Sequence, residues 1–296
     1  MGILNGTIDH FVQEVGESFD DFTISRTANG TVGRARVVSA INWAQRRVHQ
    51  FLYSRVNVSQ LARKVTITED SENDNRYLLP PRTWGVFAVE DSNGVYYSPR
   101  SSRLQHNQAG WIAERRASTQ AANNRAVVRF MNFDPTGTIS AWVLETPCRM
   151  SGGDGTYGAA TVTLAADPEL GDTVMDDDYY IGSQFIIVES GSTAFGLIGT
   201  ATDSVGSTRV VTVPTWSTLP TAADQYSVLC ELPESAWPLV WLRATRRIMR
   251  VDRRWDDIRN DVREELVTAE IDALLALRKP AKGFDAMPRQ ADVWVV

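Results

Sequence analysis

The sequence predicts an α+β fold, in which a helical layer packs on antiparallel β-sheet and a small β module is inserted into the chain. Three observations carry that expectation. Apolar residues recur every three or four positions near both ends of the 296-residue chain, the mark of amphipathic helices. Between them lie short alternating runs bounded by Asn, Asp, Gly and Pro, the mark of strands and turns. Residues 151–233 carry 11 acidic side chains against a single base, Arg209, a composition shift that sets a module apart.

The elements follow in order. Residues 1–30 are weakly patterned, with Asn-Gly at 5–6 and 29–30, and read as an N-terminal arm. A helix is expected over Gly33–Tyr53, because Val37, Ile41, Ala44, Val48 and Phe51 form one stripe, with Arg34, Arg46 and Arg47 off it. Thr31 is its candidate N-cap. Strands are expected over Lys64–Glu69, Trp84–Glu90 and Val95–Tyr97, the last two joined by the hairpin turn Asp91-Ser-Asn-Gly94. Ala126–Phe133 and Thr138–Glu145 flank Asp134-Pro-Thr-Gly137 and read as a second hairpin.

Within the acidic block, short runs at 160–164, 184–189, 195–201, 207–213 and 226–231 predict a small all-β insert. After Pro233, Ser235–Val251 and Trp255–Leu277 both show helical periodicity. The short link Asp252–Arg254 makes them an antiparallel pair. The expected organisation is an arm at 1–30, a core made of 31–150 and 234–280, the β insert at 151–233 and a tail at 281–296.

Several chemistries are excluded by spacing. His10, His49 and His106 form no helical pair or Cys/His set, so no metal is expected. A Gly-x-Gly-x-x-Gly occurs at Gly153, Gly155 and Gly158, but Ala159-Ala-Thr-Val-Thr-Leu164 follows and favours strand, where a dinucleotide site needs a helix N-terminus. It reads as a connector into the insert. Asp70, Glu72 and Asp74 resemble a calcium loop, yet Asn75 stands at the sixth position and Pro81 at the twelfth. The acidic cluster Asp172, Asp176, Asp177 and Asp178 reads as a solvated turn, with a weak cation site as the alternative. Cys148 and Cys230, far apart, read as buried thiols in strands. No nucleophile elbow, phosphate loop or Cys/His pairing is present, so neither enzyme activity nor a cofactor is expected. No apolar run reaches the roughly 18–20 residues of a membrane helix.

Two features point to assembly. Arg243, Arg247, Arg250 and Arg254 line one face of the penultimate helix, with Arg246 and Arg253 beside them. That face is either solvated and balanced by Asp252, Asp256, Asp257 and Asp261, or a contact for carboxylates of a neighbouring subunit or partner ring. A DNA-facing role is the third reading. Of the 30 basic residues, all but Lys64, Lys279 and Lys282 are Arg, which suits bidentate protein contacts. The tail ends in Val293-Trp294-Val295-Val296. Such an end can add a strand to a partner sheet, insert Trp294 as an anchor, or pack on its own domain.

Certain strings resemble a known family. Val37-Val-Ser-Ala-Ile-Asn-Trp-Ala-Gln-Arg-Arg-Val48 is followed by a strand leading to Tyr77-Leu-Leu-Pro-Pro81, the Trp84–Tyr97 hairpin and strands ending at Glu145-Thr-Pro147. Then come Val211-Thr-Val-Pro-Thr-Trp216, Asp224-Gln-Tyr-Ser-Val228 and Glu231-Leu-Pro233. In this layout, over roughly residues 30–280, the chain resembles the head-to-tail connector adaptor proteins of tailed bacteriophages. The resemblance implies a structural virion protein of the neck, assembled in the host cytoplasm as a ring, usually twelvefold, beneath the portal protein. Tail or neck proteins would attach below, and double-stranded DNA would pass through the lumen without sequence-specific binding. The helix Trp255–Leu277 and the tail would dock on the portal, and the acidic insert would line the lumen or project outward. The alternatives are another neck or tail completion ring, and a β-domain carbohydrate or receptor binder using exposed aromatics of the insert.

Overall fold

A computed structural model describes residues 5–17, 24–25, 32–53, 62–70, 75–99, 109–115, 126–135, 137–166, 174, 176–251, 267–273 and 294–295. The chain forms two compact units, one of Met1–Leu52 with Pro147–Lys282, the other of Tyr53–Thr146 with Gly283–Val296. This partition differs from the one composition suggested: the acidic β insert shares a unit with the helices, and the first β stretch stands in the other.

In chain order the elements begin with α1 (Ile8–Glu17), β1 (Ile24–Ser25), β2 (Val32–Gly33) and α2 (Arg34–Tyr53). The second unit supplies β3 (Arg63–Glu69), β4 (Arg76–Leu78), β5 (Thr83–Glu90), β6 (Tyr96–Tyr97), β7 (Gly110–Arg115), β8 (Ala126–Met131) and β9 (Ile139–Glu145). The first unit resumes with β10 (Gly152–Gly158), β11 (Thr161–Leu164), β12 (Gln184–Ile187), β13 (Ile198–Thr200), β14 (Asp203–Val205), β15 (Val210–Thr212) and β16 (Gln225–Val228). A single 3-10 turn, Glu234–Ala236, leads into α3 (Trp237–Val251), residues 267–273 are helical, and β17 (Trp294–Val295) returns to the second unit.

The architecture is therefore mainly antiparallel β, and the expected α+β fold built on a helical layer is not the one formed. Seventeen strands stand beside α1, α2, α3 and the helical residues 267–273 among the described elements. Short strands leave weak periodic signals one by one, whereas a long amphipathic helix announces itself, so the sequence overstated the helices. Two barrel-like sheets dominate. One has the order β13-β12-β16-β10-β11-β15-β14; the other runs β17-β5-β9-β3-β4-β8-β7, with β6 attached to β5. Each path changes partners along one strand. Gly152–Asp154 of β10 pairs with β16 and Gly155–Gly158 with β11; Arg63–Ile67 of β3 pairs with β9 and Thr68–Glu69 with β4. A strand shared in this way bends, which curls the sheet around its own core.

Three expectations about local structure change. The supposed arm contains α1, whose Ile8, Phe11, Val12 and Val15 are buried. Their i, i+3, i+4, i+7 spacing covers only about two turns, too short a run to stand out in the sequence. Thr7 caps the helix by accepting from the His10 amide at 3.3 Å, and His10 Nδ1 accepts from the Gly6 amide at 3.3 Å, a reciprocal arrangement like a capping box. The second expected hairpin does not form, because β8 pairs with β4 and β7 while β9 pairs with β3 and β5. The turn chemistry of Asp134-Pro-Thr-Gly137 is local, and long-range pairing decides which strands meet. The glycine-rich connector is itself β10. A Cβ at Gly155 would lie 2.8 Å from the Tyr157 hydroxyl and 3.2 Å from Tyr226 Cδ1, so glycine is what admits these rings.

The first unit holds two cores. Val37, Ile41, Ala44 and Val48 of α2 pack with α1 and with Leu239, Val240, Ala244 and Ile248 of α3. The β module encloses Phe185, Ile187, Val211, Tyr226 and Val228. They join where the Ile8 amide donates to Ser227 Oγ at 3.2 Å and where Asn42 bonds both amide and carbonyl of Met150, at 2.7 and 2.9 Å. The second unit centres on Trp111, Val128, Phe130, Ala141 and Val143.

Candidate functional site

The arginines of α3 open onto a cleft of about 570 Å³ lined by Trp43, Arg47, Arg243, Arg246, Arg247, Arg250 and Glu270. The helix puts them there by period: with Val240, Ala244 and Ile248 buried, positions 243, 246, 247 and 250 fall on a neighbouring face. From α2, Trp43 and Arg47 come one turn apart on the side next to the buried stripe. The helical residues 267–273 contribute Glu270, which is 9% exposed.

Glu270 is held by two guanidinium groups. Arg243 Nε donates to its Oε1 at 3.0 Å and Arg246 Nη1 to its Oε2 at 2.7 Å. Arg247 lies over the Trp43 ring at 4.5 Å from the centroid, and Arg47 approaches the same ring at 5.8 Å. Arg243 also lies 5.9 Å from the Phe51 ring centre. Among the described residues, five cations thus line the cleft with one indole and one carboxylate. Stacking on an indole occupies the face of a guanidinium and leaves its in-plane N–H donors to meet an oxyanion. The chemistry of this set is recognition of carboxylate or phosphate.

Of the residues singled out in the sequence, Arg243, Arg247 and Arg250 come together here. Arg254, Val293 and Val296 lie outside the described residues, as do Asp252, Asp256, Asp257, Asp261 and Thr31. Trp294 and Val295 pair antiparallel with Val86 and Gly85 of this chain's own β5. Trp43, Arg47 and Glu270 were not singled out. The Trp43–Arg47 spacing of four could have flagged the first two; Glu270 belongs to a segment whose partner depends on tertiary packing.

Other reactive groups are muted. Cys148 and Cys230 are free, and both follow strands without lying in one, which corrects the expectation of strand positions. Burial pushes the Cys230 thiol up to about 12, and burial likewise raises the Tyr157 and Tyr180 phenols. Asp177 accepts from the Gly206 amide at 2.8 Å, so part of the acidic cluster ties a turn. Among the described residues there is no group of three or more His, Cys, Asp or Glu side chains placed to hold a metal ion. None of the described helices is long and apolar enough to cross a membrane.

No protein-family model matches this chain, and no curated protein sequence matches it.

Proposed function

We propose that the chain is a structural protein of a tailed-phage virion, a ring-forming adaptor that joins the capsid portal to the tail and encloses part of the DNA channel. The observation that carries this reading is the cleft on α3, where Arg47, Arg243, Arg246, Arg247 and Arg250 stand with Trp43 and, among the described residues, one carboxylate. An aromatic floor under clustered guanidinium groups is the composition of a protein contact. The resemblance of the short strings along residues 30–280 gives that contact its setting.

DNA would pass such a ring without sticking to the β module, whose 11 acidic side chains face one base in the sequence. The carbohydrate-binding alternative needs an exposed aromatic platform on that module. Trp216 is 8% exposed and Tyr226 1%, so those two rings serve the module's core. A neck or tail completion ring would differ in which partner it meets.

The test is the mass of the purified chain in solution, alone and mixed with its cognate portal. Assembly of a defined ring on the portal is the expected result. A chain that leaves the portal untouched at every ratio overturns the portal assignment.

A further inference from the structure

We infer that the Trp43 cleft receives carboxylates from the acidic corner of a second copy's β module, so that copies join head to tail. This deepens the ring-forming reading and rests on it. The cleft already displays its preference, since Arg243 and Arg246, three residues apart, share the two oxygens of Glu270. Arg247 lies one turn beyond Arg243 on α3. Arg247 lies over Trp43, with Arg47 beside the same ring, a contact that holds both guanidinium groups at the cleft.

The complementary surface lies elsewhere on the same unit. β14 is the last strand of the module's sheet, and Asp203 on it is exposed. The turn carrying Asp176, Asp177 and Asp178 is tied to this strand region. The Asp178 amide donates to the Ser204 carbonyl at 2.7 Å, and Asp177 accepts from the Gly206 amide at 2.8 Å. Asp176 and Asp203, both exposed, therefore stand at one corner, and the module's one base, Arg209, lies at the tip of the adjoining β14–β15 hairpin. None of these acidic residues lines the cleft. A cationic cleft and an acidic corner built from different residues of one unit make a heterologous contact, the kind that closes into a ring when the rotation allows. Phosphate is the weaker occupant, because a chain of net charge −6 with this acidic corner repels a polyanion over most of its surface.

The experiment uses the full chain and two charge-reversed variants, Arg47→Glu with Arg247→Glu, and Asp176→Arg with Asp203→Arg. Self-association is followed by sedimentation velocity at about 50 mM and about 500 mM NaCl, across the range where screening acts. The wild-type chain is expected to associate at low salt and dissociate at high salt. Each variant alone should associate on the order of 100-fold more weakly, as expected when charge pairs turn repulsive. An equimolar mixture of the two should associate again, because both reversed contacts become complementary. This rescue separates a lost contact from a lost fold. A mixture that stays monomeric, or variants that associate like wild type, would overturn the inference. So would loss of duplex-DNA binding in the cleft variant with its self-association unchanged, which would make the cleft a phosphate site. A wild-type chain that remains monomeric alone yet forms a ring on its portal would overturn this contact and leave the adaptor reading intact.

Discussion

The sheet of the second unit ties its strands together with ion pairs, whereas the β module of the first unit has many carboxylates and almost no cations to meet them. In the former, Lys64 of β3 reaches across β9 to Glu90 of β5. Arg63 and Arg82 share Glu145 at 2.6 and 3.8 Å, and Arg76 and Arg129 converge on Glu114 at 3.5 and 4.0 Å. In the module, carboxylates turn to neutral donors. Glu231 accepts from the Cys148 amide at 2.9 Å and from Ser183 Oγ at 2.7 Å, Asp224 from the Thr221 amide at 2.6 Å, and Asp154 from Gln225 at 3.1 Å. The contrast teaches where charge is spent. One sheet consumes its charges internally, and the other keeps a net negative surface that can act on something outside it.

The two sheets should nevertheless depend equally on their cores, and that is the largest effect to measure. Phe185 in the module and Trp111 in the second unit are both fully buried. Phe185 packs against Tyr180 and Tyr226 with ring centres 5.6 and 6.1 Å away, and Trp111 donates its indole N–H to the Tyr97 carbonyl at 2.8 Å. Replacing either by Ala should cost about 3–5 kcal/mol in urea unfolding. A cost near 1 kcal/mol at one of them would mean that its sheet is held by something other than this packing.

How much of this was readable in advance differs between the regions for physical reasons. Most of the module's strands were legible as short runs, because Val162 and Leu164, or Phe185 and Ile187, alternate or cluster against turn residues, but the glycine-rich β10 and the three-residue β14 were not. The α2 stripe was equally plain. The partners of β8 and β9 were not, since turn chemistry at Asp134–Gly137 is local and pairing is long-range. At the site, the Arg face of α3 follows from helical period alone. The indole beneath it and the carboxylate within it come from two other segments, and no local pattern specifies which helix faces which.

The middle effect concerns pH. Hydrogen bonding from Lys64 holds the Glu90 carboxyl below the usual carboxylate range; burial opposes this, and the Tyr96 hydroxyl adds to it. A depressed carboxyl stabilises the fold fully above its unfolded value, near 4.3, and loses that contribution as pH falls through the lower folded value. Glu90→Gln should therefore cost about 1 kcal/mol at neutral pH, discounted because Lys64 is half exposed. The difference from wild type should shrink as pH drops below about 4. A difference that stays constant well below that pH would remove the ion pair from the account.

The smallest effect reads the module's unspent charge directly. Asp203 is exposed on β14 and sits beside the Asp176–Asp178 turn, so in the isolated chain its charge meets mostly like charge. Asp203→Asn should change stability by no more than about 0.5 kcal/mol, and in the stabilising direction at low ionic strength. Salt screens that repulsion, so the gain should fade near about 500 mM NaCl. Salt should act oppositely on the partly exposed Arg63–Glu145 pair, whose attraction it weakens. The sign is what matters. If Asp203→Asn destabilises at low salt, this carboxylate is already satisfied within its own chain and the acidic corner has nothing left to offer a second copy. If it stabilises at low salt while weakening self-association, the same charge that strains the single chain is the one that joins two.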